Sequence, residues 1–275
     1  MKKKDLKFII ETIKGNYVDY KPDWYSVLGF LSLHKVEGLF YNRAKKLNIN
    51  IPYKIEKTLE NKFISQKKRN VLMRQYVDEI SRALIKSDVK HILLKGSVLS
   101  NLSEECVTIY EDGERVSNDI DLLVRYDSIS EAANVLKNLG FVQGRYCMED
   151  NEIVLFERQE IIQRRMNRGE VAPFVKKTNN LDIPFIEIDI NFSLGNTPSE
   201  RQDVLSQILS TAHVFNGKVK MSVPEEELFF LHLIMHQYKE STLYFMVERN
   251  KDLDLYKLAD IYYMIKQKTI DLTIL

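Results

Sequence analysis

Apolar residues recur three or four positions apart through residues 1–88, a spacing typical of amphipathic helices. The residues that define these stripes are Ile9, Ile10 and Ile13; Trp24, Val27, Leu28 and Leu31; and Ile55, Leu59, Phe63, Tyr76, Ile80 and Leu84. Pro52 is a suitable first-turn residue for the long third segment. The polar run 66–70 in the middle of that segment is interpreted as a solvated helix face. The pattern predicts a helical N-terminal region.

The pattern changes at His91, where an apolar run reaches Lys95-Gly96-Ser97. We predict a strand that ends at this tripeptide and a helix that begins at Ser97. Further along, apolar residues alternate with polar ones over 119–124, which predicts a second strand. Asp119 and Asp121 are two apart, so both carboxylates project from one face of that strand.

A third alternating segment, Ile183 to Phe192, carries Glu187 and Asp189 on one face and is able to pair beside strand 119–124. Between the two, Ser128 to Glu131 matches a capping box that opens a helix ending at Gly140. The segment 141–157 is predicted to form one or two strands. The basic stretch Arg158 to Lys177 has weak periodicity and is predicted as a loop or an irregular helix, with a solvated loop favoured over a clamp for polyanions.

The last part of the chain returns to helical spacing. Ser199 to Gln202 is a further capping signature, and Asn216-Gly217 predicts a small hairpin. From Pro224 the chain is predicted to be helical, with a final amphipathic helix over Leu253 to Ile265. Helices at both ends and mixed elements between them indicate an α/β or α+β core.

Composition narrows the classes of function. The chain has 275 residues, is 44% hydrophobic and carries 40 basic and 39 acidic residues, for a net charge of +1. The chain can therefore bury a sizeable core. Its near-neutral net charge gives no overall attraction for duplex nucleic acid, which is not expected as a partner. The two cysteines fit a reducing compartment, and no stretch reaches membrane-spanning length. A soluble cytoplasmic protein is expected.

The acidic strands suggest metal chemistry. Magnesium takes a few carboxylates and completes its shell with phosphate oxygens and water. Asp119 and Asp121 offer such a pair, and Asp189 is the candidate for a third ligand. Lys95, Gly96 and Ser97 offer charge, close backbone approach and a hydroxyl to a phosphate group. Each motif alone is a weak signal. The order of the motifs, with the phosphate-type turn first, then the Asp-x-Asp strand and then the Asp189 strand, is the stronger indication of metal-assisted phosphate chemistry.

These segments resemble a family. Leu93-Leu94-Lys95-Gly96, Tyr110, Arg115 and Asp119-Ile120-Asp121-Leu122-Leu123-Val124 are similar to the LKG turn and R…DIDLLV strand of uncharacterised bacterial nucleotidyltransferases of the DNA polymerase β-like superfamily. Segment 188–194 resembles the family's later hDlHWrL strand, although Asn191 and Phe192 replace its His and Trp. Pro224 to His236 and His34 to Leu39 resemble its flanking helices.

The resemblance implies an α+β nucleotidyltransferase fold, with a mixed β-sheet flanked by helices. Three regions are expected: N-terminal helices over 1–88, a catalytic core over 89–195 and a mostly helical region over 196–275. It also implies transfer of a nucleoside monophosphate from a nucleoside triphosphate, with ATP expected, to a hydroxyl or phosphate of an unidentified acceptor. Asp119, Asp121 and Asp189 would hold two Mg²⁺ ions, or Mn²⁺. Gly96 and Ser97, with Lys95 and Arg115, would bind the triphosphate.

Several alternatives stay open from the sequence. Arg115 is able to hold a phosphate, which we favour, or to pair with Glu111 or Glu114. His232 and His236 have a zinc-compatible spacing, but apolar neighbours favour a structural role. The acids also fit a metal-dependent glycosyltransferase that uses a nucleotide-sugar, or a catalytically silent binding module. The acceptor is open among a small molecule, a peptide or protein, and an RNA end.

Overall fold

The N-terminal region is helical, as predicted, in the computed structural model, which describes residues 1–101, 103–104, 107–168, 170–180, 183–194, 202–217, 219–249, 252–267 and 270. It contains α1 (Lys3–Lys14), α2 (Trp24–Leu33), α3 (Glu37–Lys46) and α4 (Tyr53–Lys86). The predicted stripes face inward, and Ile9, Leu31 and Leu59 are completely buried. The Asp23 carboxylate accepts the backbone N–H groups of Tyr25 and Ser26 and so begins α2.

Strands dominate the middle of the chain. They are β1 (His91–Leu94), β2 (Ser103–Glu104), β3 (Val107–Thr108), β4 (Asp119–Val124), β5 (Val142–Cys147), β6 (Glu152–Leu155), β7 (Phe174–Asn180) and β8 (Ile183–Asn191). Six of them form one mixed sheet in the order β1-β4-β8-β7-β5-β6, and β2 pairs with β3 separately. Together with the helices, this sheet confirms the α+β prediction.

The predicted pairing of the two acidic strands is confirmed. β4 and β8 are parallel neighbours, with Asp121 opposite Asp189 and Asp119 opposite Glu187. β1 runs antiparallel on the other side of β4 and places Leu94 opposite Asp121. Residues opposite one another in register share a face of the sheet. The acids of β4 and β8 therefore lie side by side.

Helices follow and cover these strands. Those of the middle region are α5 (Lys95–Leu99), α6 (Ile129–Asn138) and α7 (Arg158–Arg168). The last region contains α8 (Gln202–Ser210), the hairpin β9 (His213–Asn216) and β10 (Lys220–Val223), then α9 (Glu226–Thr242), α10 (Tyr244–Glu248) and α11 (Leu255–Gln267). The hairpin and the helices after Pro224 confirm the sequence predictions. Among the described residues, no helix has the length and apolar character that crossing a bilayer requires.

Two apolar clusters lie on opposite faces of the sheet. The larger cluster includes Ile120, Leu122, Ile188 and Ile190 and extends to the N-terminal helices. The smaller one joins Ile92, Leu94 and Leu123 to Leu205 and Leu209 of α8. The acids share the face of the smaller cluster, because Asp119, Asp121 and Leu123 alternate with the residues of the larger one.

Two local predictions are wrong. The stretch Arg158 to Lys177, predicted as a loop or irregular helix, forms the regular helix α7 and the first part of β7. β7 forms despite its polar sequence because it pairs with β8 inside the sheet, where tertiary pairing outweighs intrinsic propensity. The capping box at Ser128 is also absent, since the Ser128 hydroxyl donates to the Asp127 carboxylate within a short 3-10 turn.

The predicted region boundary at residue 88 falls between α4 and β1. The boundary at 195 and the capping signature from Ser199 lie largely outside the described residues. The division into three regions therefore stays a prediction.

Candidate functional site

Three aspartates converge at the centre of the sheet. A carboxylate oxygen from each of Asp119, Asp121 and Asp189 lies within 4.8 Å of those of the other two. Asp119 and Asp121 come from alternate positions of β4, and the parallel pairing with β8 brings Asp189 beside Asp121. The structure thus brings together the three residues that the sequence predicts as metal ligands.

Mutual repulsion and burial shape the protonation of this cluster. Burial, followed by the charges of Asp121 and Asp119, raises the pKa of Asp189 to about 8. The pKa of Asp119 is raised by burial and then by the charge of Asp121. Glu187 shows the same direction, since burial and the charge of Asp119 raise its pKa. The cluster therefore holds more negative charge than its surroundings neutralise.

The turn between β1 and α5 lies against this cluster. The Lys95 ammonium donates to Asp121 Oδ1 at 2.7 Å. Burial lowers the pKa of Lys95, but the carboxylates of Asp121, Asp119 and Asp189 outweigh burial and raise it above its usual value. Lys95 has a φ of 51°, in the left-handed region that side chains rarely adopt. This strained backbone turns the chain from the strand into the helix beside the acids.

Gly96 and Ser97 are both buried in this turn. A Cβ atom at position 96 would lie 2.4 Å from Arg115 Nη1 and 2.4 Å from Ser117 Oγ, so the close packing of the turn requires glycine. The Ser97 hydroxyl is buried and has no hydrogen-bond partner among the described residues. Such an unpaired hydroxyl is costly unless a ligand oxygen pairs with it.

Arg115 forms a buried ion pair across the fold. Its Nε and Nη2 atoms donate to the two carboxylate oxygens of Asp260 on α11, at 2.9 and 2.7 Å. Tyr110 donates to the same carboxylate at 2.9 Å. The alternative pairing with Glu111 or Glu114 is wrong, because Glu114 pairs with Arg43 and Glu111 with Lys46. Direct phosphate contact by Arg115 stays a prediction.

The polar middle of α4 supports the segment that leads into β4. Gln66 and Asn70 donate to the Arg115 carbonyl, and Arg69 donates to the carbonyls of Ser117 and Asn118. Interpreting this run as a solvated face is therefore wrong for these three residues, although Lys67 and Lys68 are exposed. The helix fixes the backbone immediately before Asp119.

The acids open into a cleft of about 550 Å³. One wall is the sheet, with Leu94, Asn191 and Ser193 beside the acids. The opposite wall comes from α9 and the residues that follow it: His232, His236, Lys239, Glu240, Leu243, Met246 and Arg249. Sequence reasoning missed Lys239, Glu240 and Arg249. The only signal for Lys239 and Glu240 was their position on a polar helix face, which does not distinguish a cleft from solvent, and Arg249 follows the end of α10 without any signal of its own.

Of the two histidines of α9 at the cleft, His232 is buried and His236 is half-buried. Burial, followed by the charge of Lys95, lowers the pKa of His232 to about 4, and the same two causes lower that of His236. Neither nitrogen of His232 has a hydrogen-bond partner among the described residues. His236 Nε2 lies 3.3 Å from Glu240 Oε1. The His232 ring is therefore neutral near pH 7.

The basic stretch 158–177 points elsewhere. Among its residues with described side chains, Arg164 pairs with Glu160, Arg165 lies over the Tyr126 ring, and Lys177 donates to the Asn151 carbonyl. None of these three lines the cleft. Glu170, an acid from the same stretch, does.

The residues present fit a divalent cation. Three carboxylates with oxygens this close repel one another, and this repulsion adds to burial in raising the pKa values of Asp119 and Asp189. Hard oxygen donors of this kind are the ligands that Mg²⁺ and Mn²⁺ accept.

Comparison with known proteins agrees with this geometry. A search of curated proteins found no match. The sequence pattern of a family described as an uncharacterised nucleotidyltransferase matches residues 20–275, which include all three aspartates and the β1–α5 turn. The mixed sheet with helical termini is consistent with the fold expected of such proteins. The chain therefore belongs to this family of nucleotidyltransferases.

Proposed function

We propose that the protein is a Mg²⁺-dependent nucleotidyltransferase that moves a nucleoside monophosphate from a triphosphate, with ATP expected, to a hydroxyl or phosphate of an acceptor. The observation that carries this proposal is the convergence of Asp119, Asp121 and Asp189 beside the β1–α5 turn. Family membership supports nucleotidyl transfer as the general activity.

Each residue has a chemical task in this proposal. Asp119 and Asp121 would hold two Mg²⁺ ions, with Mn²⁺ as an alternative, and Asp189 would contribute to the same site. Bound Mg²⁺ would neutralise charge on the transferred phosphoryl group and help to align the attacking and leaving oxygens. Asp189 lies at the acceptor side and takes the proton of the attacking hydroxyl. The acceptor oxygen bonds to the α-phosphorus, the α–β bridging bond breaks and pyrophosphate leaves.

The β1–α5 turn is proposed to hold the β- and γ-phosphates. Ser97 offers a buried hydroxyl without a partner among the described residues, and Gly96 lets the backbone approach closely. The Lys95 ammonium pairs with the Asp121 carboxylate. A metal ion bound to that carboxylate would release the ammonium to pair with a phosphate oxygen. Arg115 lies directly beneath Gly96, so we assign it to the phosphate side of the site.

A small cavity of about 30 Å³ adjoins the same turn, and Lys257 in its wall adds a cation to the proposed phosphate side. Its lining includes Lys95, Arg115, Tyr256 and Lys257. Burial, followed by the charges of Lys35 and Lys95, lowers the pKa of Lys257 to about 8. Lys257 contacts Glu240, and an additional anion nearby would favour its charged form.

Calorimetry with each nucleoside triphosphate, with Mg²⁺ and with EDTA, tests the proposal. We expect Mg²⁺-dependent binding of a triphosphate, with ATP tightest, and labelled α-phosphate appearing on a component of a cell extract. Asp127→Asn is a matched control for Asp121→Asn, because Asp127 follows the same strand but is exposed and pairs with Arg125. Binding of a nucleotide-sugar in place of triphosphates would contradict the proposal and favour glycosyl transfer.

A further inference from the structure

On β1 and β4, the face of the sheet that carries the acids becomes apolar two residues away from them. Next to the row of Leu94, Asp121 and Asp189 lies the row of Ile92, Leu123 and Asn191. Two residues along a strand correspond to about 6.5 Å. Apolar side chains therefore begin about 6.5 Å along the strands from the row of carboxylates.

An apolar pocket of about 140 Å³ lies over this second row. Ile92 and Leu123 form its floor, and Ile208, Leu228, Leu231 and Met235 from α8 and α9 cover it. Three of its lining residues, Leu94, Leu194 and His232, also line the acidic cleft. The described residues thus make the pocket a side chamber of the cleft.

The size of the pocket suits one apolar group. Apolar cavities of about 150 Å³ hold a ring the size of benzene. The lining residues are almost entirely aliphatic, and His232 supplies the polar group at the junction with the cleft. His232 is only 8% exposed and has no partner for either ring nitrogen among the described residues, so it is available to a ligand hydroxyl.

The order of features along β4 indicates which reactant enters this pocket. The β1–α5 turn lies beside Ser117, the acids follow at Asp119 and Asp121, and the pocket begins at Leu123. Attacking and leaving oxygens are roughly in line during nucleotidyl transfer. If pyrophosphate leaves at the turn, as proposed above, the acceptor approaches from the opposite side of the acids, where the pocket lies.

We propose that this pocket is the acceptor subsite and that it takes a branched aliphatic chain or a single aromatic ring of a small acceptor bearing a hydroxyl. The hydroxyl lies next to Asp189, and the apolar group extends past Asn191 into the pocket. This inference rests on the proposed function for the direction of attack. It narrows the acceptor to amphiphilic small molecules and disfavours sugars, which lack such a group, and RNA ends, whose bases carry polar groups that the aliphatic pocket would leave unpaired.

Saturation-transfer NMR on the full chain tests the subsite directly. The probes are 3-methylbutan-1-ol and 2-phenylethanol, with glycerol as the polar comparison, in the presence of Mg²⁺ and α,β-methylene ATP. Leu231→Phe fills the pocket, and Met235→Phe is a second filling variant at a position that is 42% exposed and tolerant of change. Ile234→Phe is the matched control, because Ile234 lies on the same helix, is 38% exposed and does not line the pocket.

We expect both apolar alcohols to bind the wild type and Ile234→Phe, and glycerol to bind neither. The filling variants should bind the alcohols on the order of tenfold more weakly, a change of about 1.4 kcal/mol, with nucleotide affinity unchanged. Alcohol binding that is absent from the wild type, or undiminished in both filling variants, would overturn the subsite. A parallel tenfold loss of nucleotide affinity would assign the pocket to the nucleobase and overturn it as well.

The same samples separate this inference from the proposed function. A wild type that binds no nucleotide in a Mg²⁺-dependent way contradicts the proposed function, whatever the alcohols do. Intact Mg²⁺-dependent nucleotide binding without alcohol binding overturns the acceptor subsite alone.

Discussion

The two faces of strands β4 and β8 are built from the same backbone but have opposite consequences for the protein. On one face Ile120, Leu122, Ile188 and Ile190 are completely buried in the main core. On the other, burial and then the charges of Asp121 and Asp119 raise the pKa of Asp189 to about 8. The first face stabilises the fold, whereas the second costs stability and holds the residues proposed for chemistry.

From this difference we expect single substitutions at adjacent positions to change either stability or activity, but not both. Because strand side chains alternate, Asp121 and Leu122 are chain neighbours that project to opposite sides. Substitution of one should change transfer with little effect on folding, and substitution of the other should do the reverse.

Asp121→Asn should reduce transfer by about a thousandfold or more, since a metal site supplies several kcal/mol of transition-state stabilisation and each 1.36 kcal/mol is tenfold in rate. The midpoint of thermal unfolding should stay close to that of the wild type, because removing a charge that repels Asp119 and Asp189 offsets the loss of the ion pair with Lys95. Transfer of α-labelled phosphate to extract components and a thermal melt measure the two effects. Full activity in this variant would show that Asp121 has no catalytic task.

Leu122→Ala should lower the free energy of unfolding by about 2–5 kcal/mol, the range for deleting a completely buried aliphatic side chain. Urea unfolding measures the loss. Nucleotide affinity, taken at a temperature where the variant is folded, should match that of the wild type. A variant of normal stability that binds nucleotide poorly would contradict the division between the faces.

Asp260→Asn tests a residue that links the two functions. It should destabilise the fold by about 3 kcal/mol, because Arg115 would keep a buried charge without its partner. Through Arg115 it should also disturb the turn at Gly96 and weaken nucleotide binding. Asp252→Asn, elsewhere in the C-terminal region, is a control that should leave stability and binding unchanged. Unfolding and calorimetry on the same preparation show whether both properties change together.

Asp189→Asn should stabilise the metal-free protein at alkaline pH. The folded pKa of about 8 lies above the unfolded value of about 3.9, so the folded state binds more protons between these values and wild-type stability falls as pH rises through that window. The variant lacks this loss and should gain about 1–2 kcal/mol at pH 8.5, and less at pH 5.5, after allowance for solvent screening. Urea unfolding in EDTA at the two pH values measures it, with Asp127→Asn expected to show no gain.

Local periodicity explains how much of the fold and site could be predicted. Alternation over 119–124 and 183–192 was sufficient to place Asp119, Asp121 and Asp189 on strands, and their pairing followed from the need to share one face. The turn at Lys95 was also visible, because an apolar run ended there. These features depend on residues close in sequence and on the period of the strand.

The features that sequence reasoning missed depend on distant contacts. Arg115 and Asp260 are 145 residues apart, and nothing local distinguishes Asp260 from a solvated helical acid. β7 carries a polar sequence and becomes a strand through its neighbours, β8 and β5. The apolar pocket needs α8 and α9 to fold over Ile92 and Leu123. In each case tertiary packing, rather than local propensity, determines the outcome.

Calorimetric titration of the wild type and Asp121→Asn with ATP, in Mg²⁺ and in EDTA, tests the central claim most directly. We expect binding to the wild type in Mg²⁺ that weakens by at least about tenfold in EDTA and in the variant. Binding of equal strength under all of these conditions would contradict it, because the carboxylates of β4 and β8 would then have no part in holding a metal-bound nucleotide.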